Sequence, residues 1–300
     1  MYQLIDKNKH RSWLLILVFL LLILGIGALL AYYLEGGGAI FIIAVVFSLG
    51  SVGLSFYGGD KLILASVRAK QIEKKDDAEL FRIVENLAIT AGIPTPKVYI
   101  IPDQALNAFA TGRNPEHASV AITAGLRSKL NKSELEAVMG HELSHVKNYY
   151  IRVALLTAVL FGMIVFIADM LWRVSFFGGS RRGRGSAAIL PLLLIAGILA
   201  PIAAQLIKLA ISRKRELLAD ATSVIFTRYP DAMITALQKI AQQPQIKGHN
   251  EAIAHMFIFP PFKAKSFLSK LFMTHPPIEE RIAAIKEGYG IPKDQEYVSR

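Results

Sequence analysis

Long apolar segments alternate with amphiphilic stretches along this chain. Four of these segments approach or exceed the roughly 20 apolar residues that an α-helix needs to cross the hydrocarbon core of a bilayer. They occupy residues 13–34, 39–57, 153–172 and 187–211. Pro191 and Pro201 in the fourth segment are tolerable in a membrane helix whose freed carbonyl groups find other partners. The pattern predicts a mostly α-helical integral membrane protein with about four transmembrane helices.

The first two apolar segments are joined by a glycine-rich turn and are expected to form a hairpin. The first is longer than the core of a signal peptide and has no convincing cleavage site after it, which predicts an uncleaved anchor. Lys7, Lys9 and Arg11 precede it. By the positive-inside rule, this end of the hairpin lies in the cytoplasm.

The connection between the third and fourth segments is rich in arginine. Arg173, Arg181, Arg182 and Arg184 would lie on the outer side of the membrane if these segments form a second hairpin, which conflicts with the positive-inside rule. Either the first hairpin dictates the topology, or the second pair does not fully span. The first explanation is our working hypothesis.

Residues 59–148 have the pattern of a domain outside the membrane. Apolar positions at helical spacing predict a helix over residues 76–91, and residues 98–101 and 119–123 have the composition of short strands. A third extended piece, Asn107-Ala108-Phe109-Ala110-Thr111-Gly112, is expected at the edge of this small β-sheet. An edge strand can bind an extended peptide by main-chain pairing, although a plain surface hairpin is equally consistent with the pattern.

These patterns divide the chain into four parts. Residues 1–58 form the first transmembrane hairpin and 59–150 the first part of an α+β domain. Residues 151–211 form the second hairpin, and 212–300 return to complete the domain.

The composition supports a membrane location. Hydrophobic residues make up 53% of the chain, and its formal net charge is +11. Because no basic stripe interleaved with aromatic residues is present, we expect no nucleic acid partner, and attraction to anionic lipid headgroups explains the excess charge. There is no cysteine, so any zinc must be held by histidine, aspartate or glutamate.

The strongest chemical signal is the stretch His141-Glu142-Leu143-Ser144-His145. Histidines four apart on a helix project from the same face, so both imidazoles can reach one metal ion. Glu142 faces the same cleft and can take a proton from a water molecule that the metal activates. We expect the helix to begin at Ser133, with Glu136 at the capping-box spacing.

A metal site with two histidines needs a further ligand. Glu216 and Asp220 are four apart in a predicted helix that follows a basic cluster, so they share one face. Glu216 would complete a set of two histidines and one carboxylate, and Asp220 would accept a hydrogen bond from the far nitrogen of a ligating imidazole. A solvated acidic face is the alternative, but the histidine pair favours the ligand.

The C-terminal part adds one candidate side chain. His275 lies at a helix start within Thr274-His275-Pro276-Pro277, where it would support the transition state or, more simply, cap the helix. Residues 255–262 are apolar and are followed by lysines, a pattern that would suit a segment in the headgroup region or a roof over the cleft.

Taken together, these motifs resemble the HtpX family of membrane zinc metallopeptidases, relatives of the prenyl-protein endopeptidases. The resemblance extends over nearly the whole chain and includes the segment Arg215-Glu216-Leu217-Leu218-Ala219-Asp220. It implies a gluzincin-like protease domain, one Zn²⁺ per subunit held by His141, His145 and Glu216, and Glu142 as general base. It further implies proteolysis of misfolded or damaged membrane proteins, under stress, at the cytoplasmic face of the bacterial inner membrane.

Three alternatives remain on the sequence alone. A processing peptidase for lipidated or signal peptides would share the chemistry but needs an enclosed chamber. A zinc-binding membrane scaffold without catalysis would not require Glu142. A transporter would show polar residues at mid-membrane or paired repeats, and the sequence has neither. The oligomeric state is left open.

Overall fold

The computed structural model describes residues 2–33, 37–177, 213–242, 256, 258 and 276–291. Three helices in this part of the chain are long and apolar enough to cross a membrane. They are α1 (Tyr2–Tyr33), α2 (Gly37–Ser66) and α6 (Tyr150–Phe177). The fourth predicted segment, 187–211, lies outside the described residues.

The three long helices pack against one another. Phe19 of α1 is fully buried in a cluster that includes Val153, Leu156 and Leu160 of α6. α2 approaches α6 closely at Gly59, where a Cβ atom would lie 2.9 Å from Leu155 Cδ1. The outer faces of α1 and α2 expose many large apolar side chains, as expected of a surface that contacts lipid.

Both helices of the first hairpin are longer than their apolar segments. α1 begins at Tyr2, so the basic residues before the apolar segment are themselves helical. They are held against the protein, because Asn8 Nδ2 donates a 2.8 Å hydrogen bond to the carbonyl oxygen of Asn148 and Lys9 Nζ lies 4.8 Å from the centre of the Tyr149 ring. Hydropathy alone locates where a span lies and not where its helix ends.

The four-stranded sheet has the order β1-β2-β4-β3. Its strands are β1 (Lys70–Ile72), β2 (Lys97–Ile101), β3 (Ala108–Gly112) and β4 (Ala118–Thr123). β2 and β4 are parallel, and the other two pairs are antiparallel. The three predicted strands are confirmed, and β3 lies at an edge of the sheet, as predicted. The sequence analysis missed β1, which is only three residues long.

The described ranges contain six further α-helices outside the long apolar ones. They are α3 (Ala78–Ala91), α4 (Ala124–Lys129), α5 (Lys132–Lys147), α7 (Arg213–Thr227), α8 (Pro230–Ala241) and α9 (Ile278–Gly288). α5 lies at the centre of the domain, and every residue of it from Ala137 to Val146 is buried. Its apolar residues pack with those of α3 and β4 in the largest core cluster.

The capping box predicted at Ser133 and Glu136 is wrong. The cap is Asn131, whose side chain accepts a hydrogen bond from the Glu134 backbone N–H, while Glu134 Oε2 accepts one from the Asn131 N–H. α5 therefore begins two residues earlier than predicted. Glu134 also forms a 2.8 Å ion pair with Lys239 of α8, which adds a tertiary reason for this start.

Candidate metal centre

Two helices, α5 and α7, cross in close contact and bring the predicted metal ligands together. The close approach depends on Gly140, because a Cβ atom there would lie 2.8 Å from Ser223 Oγ of α7. Ser223 Oγ in turn donates a hydrogen bond to the carbonyl oxygen of Ala137. With the helices locked at this point, Glu216 in the first turn of α7 faces the two histidines in the last two turns of α5.

His141, His145 and Glu216 converge on one point. His145 Nε2 lies 3.1 Å from His141 Nε2 and 3.7 Å from Glu216 Oε1, and His141 Nε2 lies 3.5 Å from Glu216 Oε2. Tetrahedral zinc with bonds of about 2.0–2.1 Å would place its ligand atoms roughly 3.3–3.4 Å apart. The donor set and its spacing therefore fit a zinc ion.

Burial makes this cluster costly without a cation. His141 and Glu216 are fully buried, and His145 is 9% exposed. Burial opposes protonation of His141, but hydrogen bonds with Asp220 and Glu216 outweigh it and raise the pKa of this imidazole to about 9. In the absence of metal, a proton on His141 supplies part of the positive charge that the carboxylates require. A metal ion would take over this role and would need both histidines neutral.

Asp220 forms a hydrogen bond with the Nδ1 atom of His141, as the sequence predicted. Its Oδ1 atom lies 2.8 Å from His141 Nδ1, so the imidazole presents Nε2 to the metal position. Burial alone would raise the pKa of Asp220, but the Arg281 guanidinium and the His141 hydrogen bond lower it below its usual value. Asp220 is therefore a carboxylate in the folded protein.

Arg281 is the residue that sequence reasoning missed. It lies on α9, is 1% exposed, and forms two hydrogen bonds with Asp220, from Nε at 2.8 Å and from Nη2 at 2.6 Å. A signal was present, since Ile278, Arg281 and Ile285 follow helical spacing and share the buried face of α9. An arginine within an apolar helical face indicates a buried partner.

Glu142 lies in the same cleft and is 2% exposed. Burial raises the pKa of its carboxyl group to about 7, against the opposing effect of His141 and of a hydrogen bond with the backbone of Ala110. A carboxyl group with a pKa near neutrality can both accept and return a proton at physiological pH.

The edge strand β3 forms one wall of this cleft. All five of its residues are buried, so it is not the plain surface hairpin that the sequence also allowed. Asn107, immediately before it, is 1% exposed and accepts a hydrogen bond from the Ala108 N–H through Oδ1. Phe109 points into the apolar cluster between the sheet and the membrane helices. The Ala108 carbonyl oxygen accepts a 3.0 Å hydrogen bond from the Ile258 N–H.

The hydrogen bond between Ile258 and Ala108 shows how the outer edge of β3 can be used. Arg281 Nη1 donates a 3.1 Å hydrogen bond to the carbonyl oxygen of Ile258 and so holds that residue against the strand. Met256 and Ile258 are both buried and line the cleft with the two histidines. His275, the other predicted cleft residue, lies outside the described residues.

Comparison with known proteins agrees with this geometry. The model of peptidase family M48 matches residues 74–288. The chain is 42% identical to the protease HtpX homolog of Tropheryma whipplei over 96% of this chain and 98% of that protein. It is 41% identical to the homolog of Streptococcus gordonii, over 96% of this chain and 99% of that protein.

The fold is similar to that of a solved structure. The alignment with the crystal structure of S. mikatae Ste24p covers 95% of this chain and 67% of the Ste24p chain, at a TM-score of 0.51 and 18% sequence identity. The family model covers most of the chain, and the curated relatives match it along nearly their whole length. The chain therefore belongs to peptidase family M48 and is a membrane metallopeptidase of the HtpX kind.

Proposed function

We propose that this protein is a zinc endopeptidase that cleaves misfolded or damaged membrane proteins at the cytoplasmic face of the bacterial inner membrane. The observation that carries the proposal is the buried set of His141, His145 and Glu216 with Glu142 beside it. His145 is five residues before Tyr150, where a helix long and apolar enough to span a membrane begins. The site therefore lies close to the membrane boundary, where loops of other membrane proteins are accessible.

Each polar residue of the site has a defined task in this proposal. His141, His145 and Glu216 hold the zinc, and Asp220 fixes the tautomer of His141. Bound zinc supplies Lewis acidity, which polarises the scissile carbonyl and makes a water molecule easier to deprotonate. Glu142 takes the proton from the attacking water and passes it to the leaving amine.

The substrate backbone would pair with β3. An extended peptide beside this strand can donate an N–H to the Ala108 carbonyl oxygen, in the position where Ile258 now donates. Such a substrate replaces Ile258 and gains the same main-chain hydrogen bond. Because main-chain pairing requires little of the side chains, it suits an enzyme that must accept many damaged sequences.

The contacts of α1 support a cytoplasmic site. The polar start of this helix reaches the metal-site region, because Asn8 contacts Asn148 and Arg215 Nη1 donates a 3.3 Å hydrogen bond to Asn8 Oδ1. Lys7, Lys9 and Arg11 therefore lie at the same end of the membrane helices as the metal site. If the positive-inside rule holds for α1, both are cytoplasmic.

Removing and restoring the metal tests the chemistry. Protein purified in detergent with a chelator should leave an unfolded membrane-protein substrate intact, and one equivalent of Zn²⁺ should restore cleavage, whereas Mg²⁺ should not, because the site offers two imidazoles and one carboxylate. Fragments are followed by gel electrophoresis and mass spectrometry. Cleavage that persists in the chelated protein, or selective cleavage of a lipidated peptide, would count against the proposal.

Sidedness can be tested because the chain has no cysteine. Lys132 lies at the start of α5 with its side chain 66% exposed, so Lys132→Cys places one accessible thiol on the helix that carries His141 and His145. A membrane-impermeant maleimide should label this thiol in inverted membrane vesicles and not in intact spheroplasts. The cysteine-free parent is the control for background, and labelling in spheroplasts would place the site on the outer side.

A further inference from the structure

Tyr150 occupies a constrained position beside the metal site. It is the first residue of α6 and follows Tyr149, whose left-handed backbone (φ 58°) allows the new helix to begin directly after α5. The Tyr150 ring lies 4.7 Å from the ring of His145, measured between centres. The Arg215 guanidinium lies over the Tyr150 ring, 4.5 Å from the centre of that ring. These contacts hold the phenol in one orientation.

Within the described ranges of the chain, no group forms a hydrogen bond with the Tyr150 hydroxyl. The residue is 5% exposed, and its phenolic oxygen is buried from solvent. Burying a hydroxyl without a partner costs free energy, and phenylalanine would fill the same space without that cost. Since no described residue uses this hydroxyl, it is available to a molecule bound in the cleft.

The surroundings of the Tyr150 hydroxyl indicate which bound molecule could use it. Tyr150 lines the cleft that contains His141, Glu142 and His145, and its hydroxyl is within electrostatic range of both Glu142 and Glu216. Among the described residues that line this cleft, Tyr150 carries the only hydroxyl group. The N–H of Ala110, which also lines the cleft, is already used by Glu142.

Amide hydrolysis is accelerated by a hydrogen-bond donor that contacts the carbonyl oxygen of the substrate. When water attacks the scissile carbonyl, the carbonyl oxygen acquires negative charge, and a fixed donor that meets this oxygen in a water-poor cleft lowers the barrier. Glu142 acts as proton acceptor in that step and has no proton to offer the oxygen. A neutral phenol beside His145 can supply a hydrogen bond of this kind.

We propose that Tyr150 is a catalytic residue that donates a hydrogen bond to the developing oxyanion of the scissile peptide, and this rests on the proposed endopeptidase function. The phenol keeps its proton throughout, so no bond is formed or broken at Tyr150. The hydrogen bond strengthens as charge develops, and its contribution is therefore to kcat and not to substrate binding.

The test is Tyr150→Phe, which removes one oxygen atom and keeps the ring between His145 and Arg215. We expect kcat to fall by on the order of 10²–10³-fold, the usual loss for one oxyanion donor, with KM nearly unchanged. Zinc content should remain one ion per chain. A phosphinic pseudopeptide built on a cleaved sequence mimics the tetrahedral state, and its affinity for Tyr150→Phe should fall by a comparable factor.

Tyr149→Phe is the matched control, because it makes the same change one residue away on a ring that contacts Lys9 and Arg152. It should retain wild-type kcat. Wild-type kcat in Tyr150→Phe would overturn the proposal, and a lower thermal stability beside it would assign the hydroxyl a structural role, such as a water-mediated contact with the unpaired Asn148 Oδ1. Loss of zinc would also overturn it. Absence of cleavage by the wild type would instead refute the proposed function.

Discussion

Glu142→Gln is expected to lower kcat by on the order of 10²–10⁴-fold, the range typical of a general base, while zinc content stays at the wild-type level. Glutamine has nearly the shape of glutamate and can accept the same hydrogen bond from the Ala110 backbone, so the cleft should be preserved. It cannot take a proton from the attacking water. Glu142 is not one of the three converging ligands, which is why the metal should remain.

The measurement combines single-turnover cleavage of an unfolded substrate with elemental analysis of the same preparations. Glu136→Gln is the matched control, because it makes the same chemical change on the same helix, where the side chain is 36% exposed and lies 4.0 Å from Lys132. It should behave as wild type. If Glu142→Gln loses zinc together with activity, the result would contradict the assignment of Glu142 as a general base that does not hold the metal. If neither wild type nor variant cleaves and both bind zinc, the scaffold alternative gains support.

Local spacing explains why much of this site could be predicted. The two histidines are one helical turn apart, and Glu216 and Asp220 are one turn apart on another helix, so each pair shares a face whatever the rest of the fold does. The two helices cross at Gly140 and Ser223, and this contact depends on the tertiary structure and not on local spacing. The histidine pair indicates that a carboxylate ligand is needed, but the sequence does not show how the fold brings that carboxylate to the histidines.

The residues that the sequence did not reveal act over long separations. Arg281 reaches Asp220 from the far end of the chain, and Ile258 reaches the edge of β3 through a backbone N–H, which no side-chain pattern encodes. On the sequence alone, Tyr150 is only the last residue of the first part of the α+β domain. Its importance depends on a hydroxyl that no described residue uses, and such contacts are known only once the helices are packed.

The fold shows the same division between local and tertiary information. Three of the four apolar segments fall on helices that are long and apolar enough to span a membrane, because burial in lipid requires a long apolar segment. Hydropathy did not locate their ends, since Asn8 and Lys9 extend α1 by contacts with Asn148 and Tyr149. Likewise Asn131, and not Ser133, begins α5, where Glu134 gains a second partner from α8.

Arg281→Met is expected to destabilise the folded protein by about 3–5 kcal/mol, because it leaves the buried carboxylate of Asp220 without its positive partner. Arg281 and Asp220 are each 1% exposed, so water cannot replace the lost interaction. The variant also loses the hydrogen bond to Ile258. Unfolding is measured in detergent with chelator present, so that metal binding does not contribute. Arg82→Met, the same change at an exposed arginine of α3, should have little effect.

A second substitution separates charge from packing. Asp220→Asn keeps an oxygen that can accept from His141 Nδ1 but removes the negative charge, so alone it should leave Arg281 buried and uncompensated. Combined with Arg281→Met, it removes both charges, and a buried pair replaced by neutral groups is often tolerated. The double variant should therefore be more stable than the sum of the single losses predicts, with a coupling of about 0.5–3 kcal/mol. Additive losses would mean that Arg281 supports α9 by packing alone and that Asp220 orients His141 without its help.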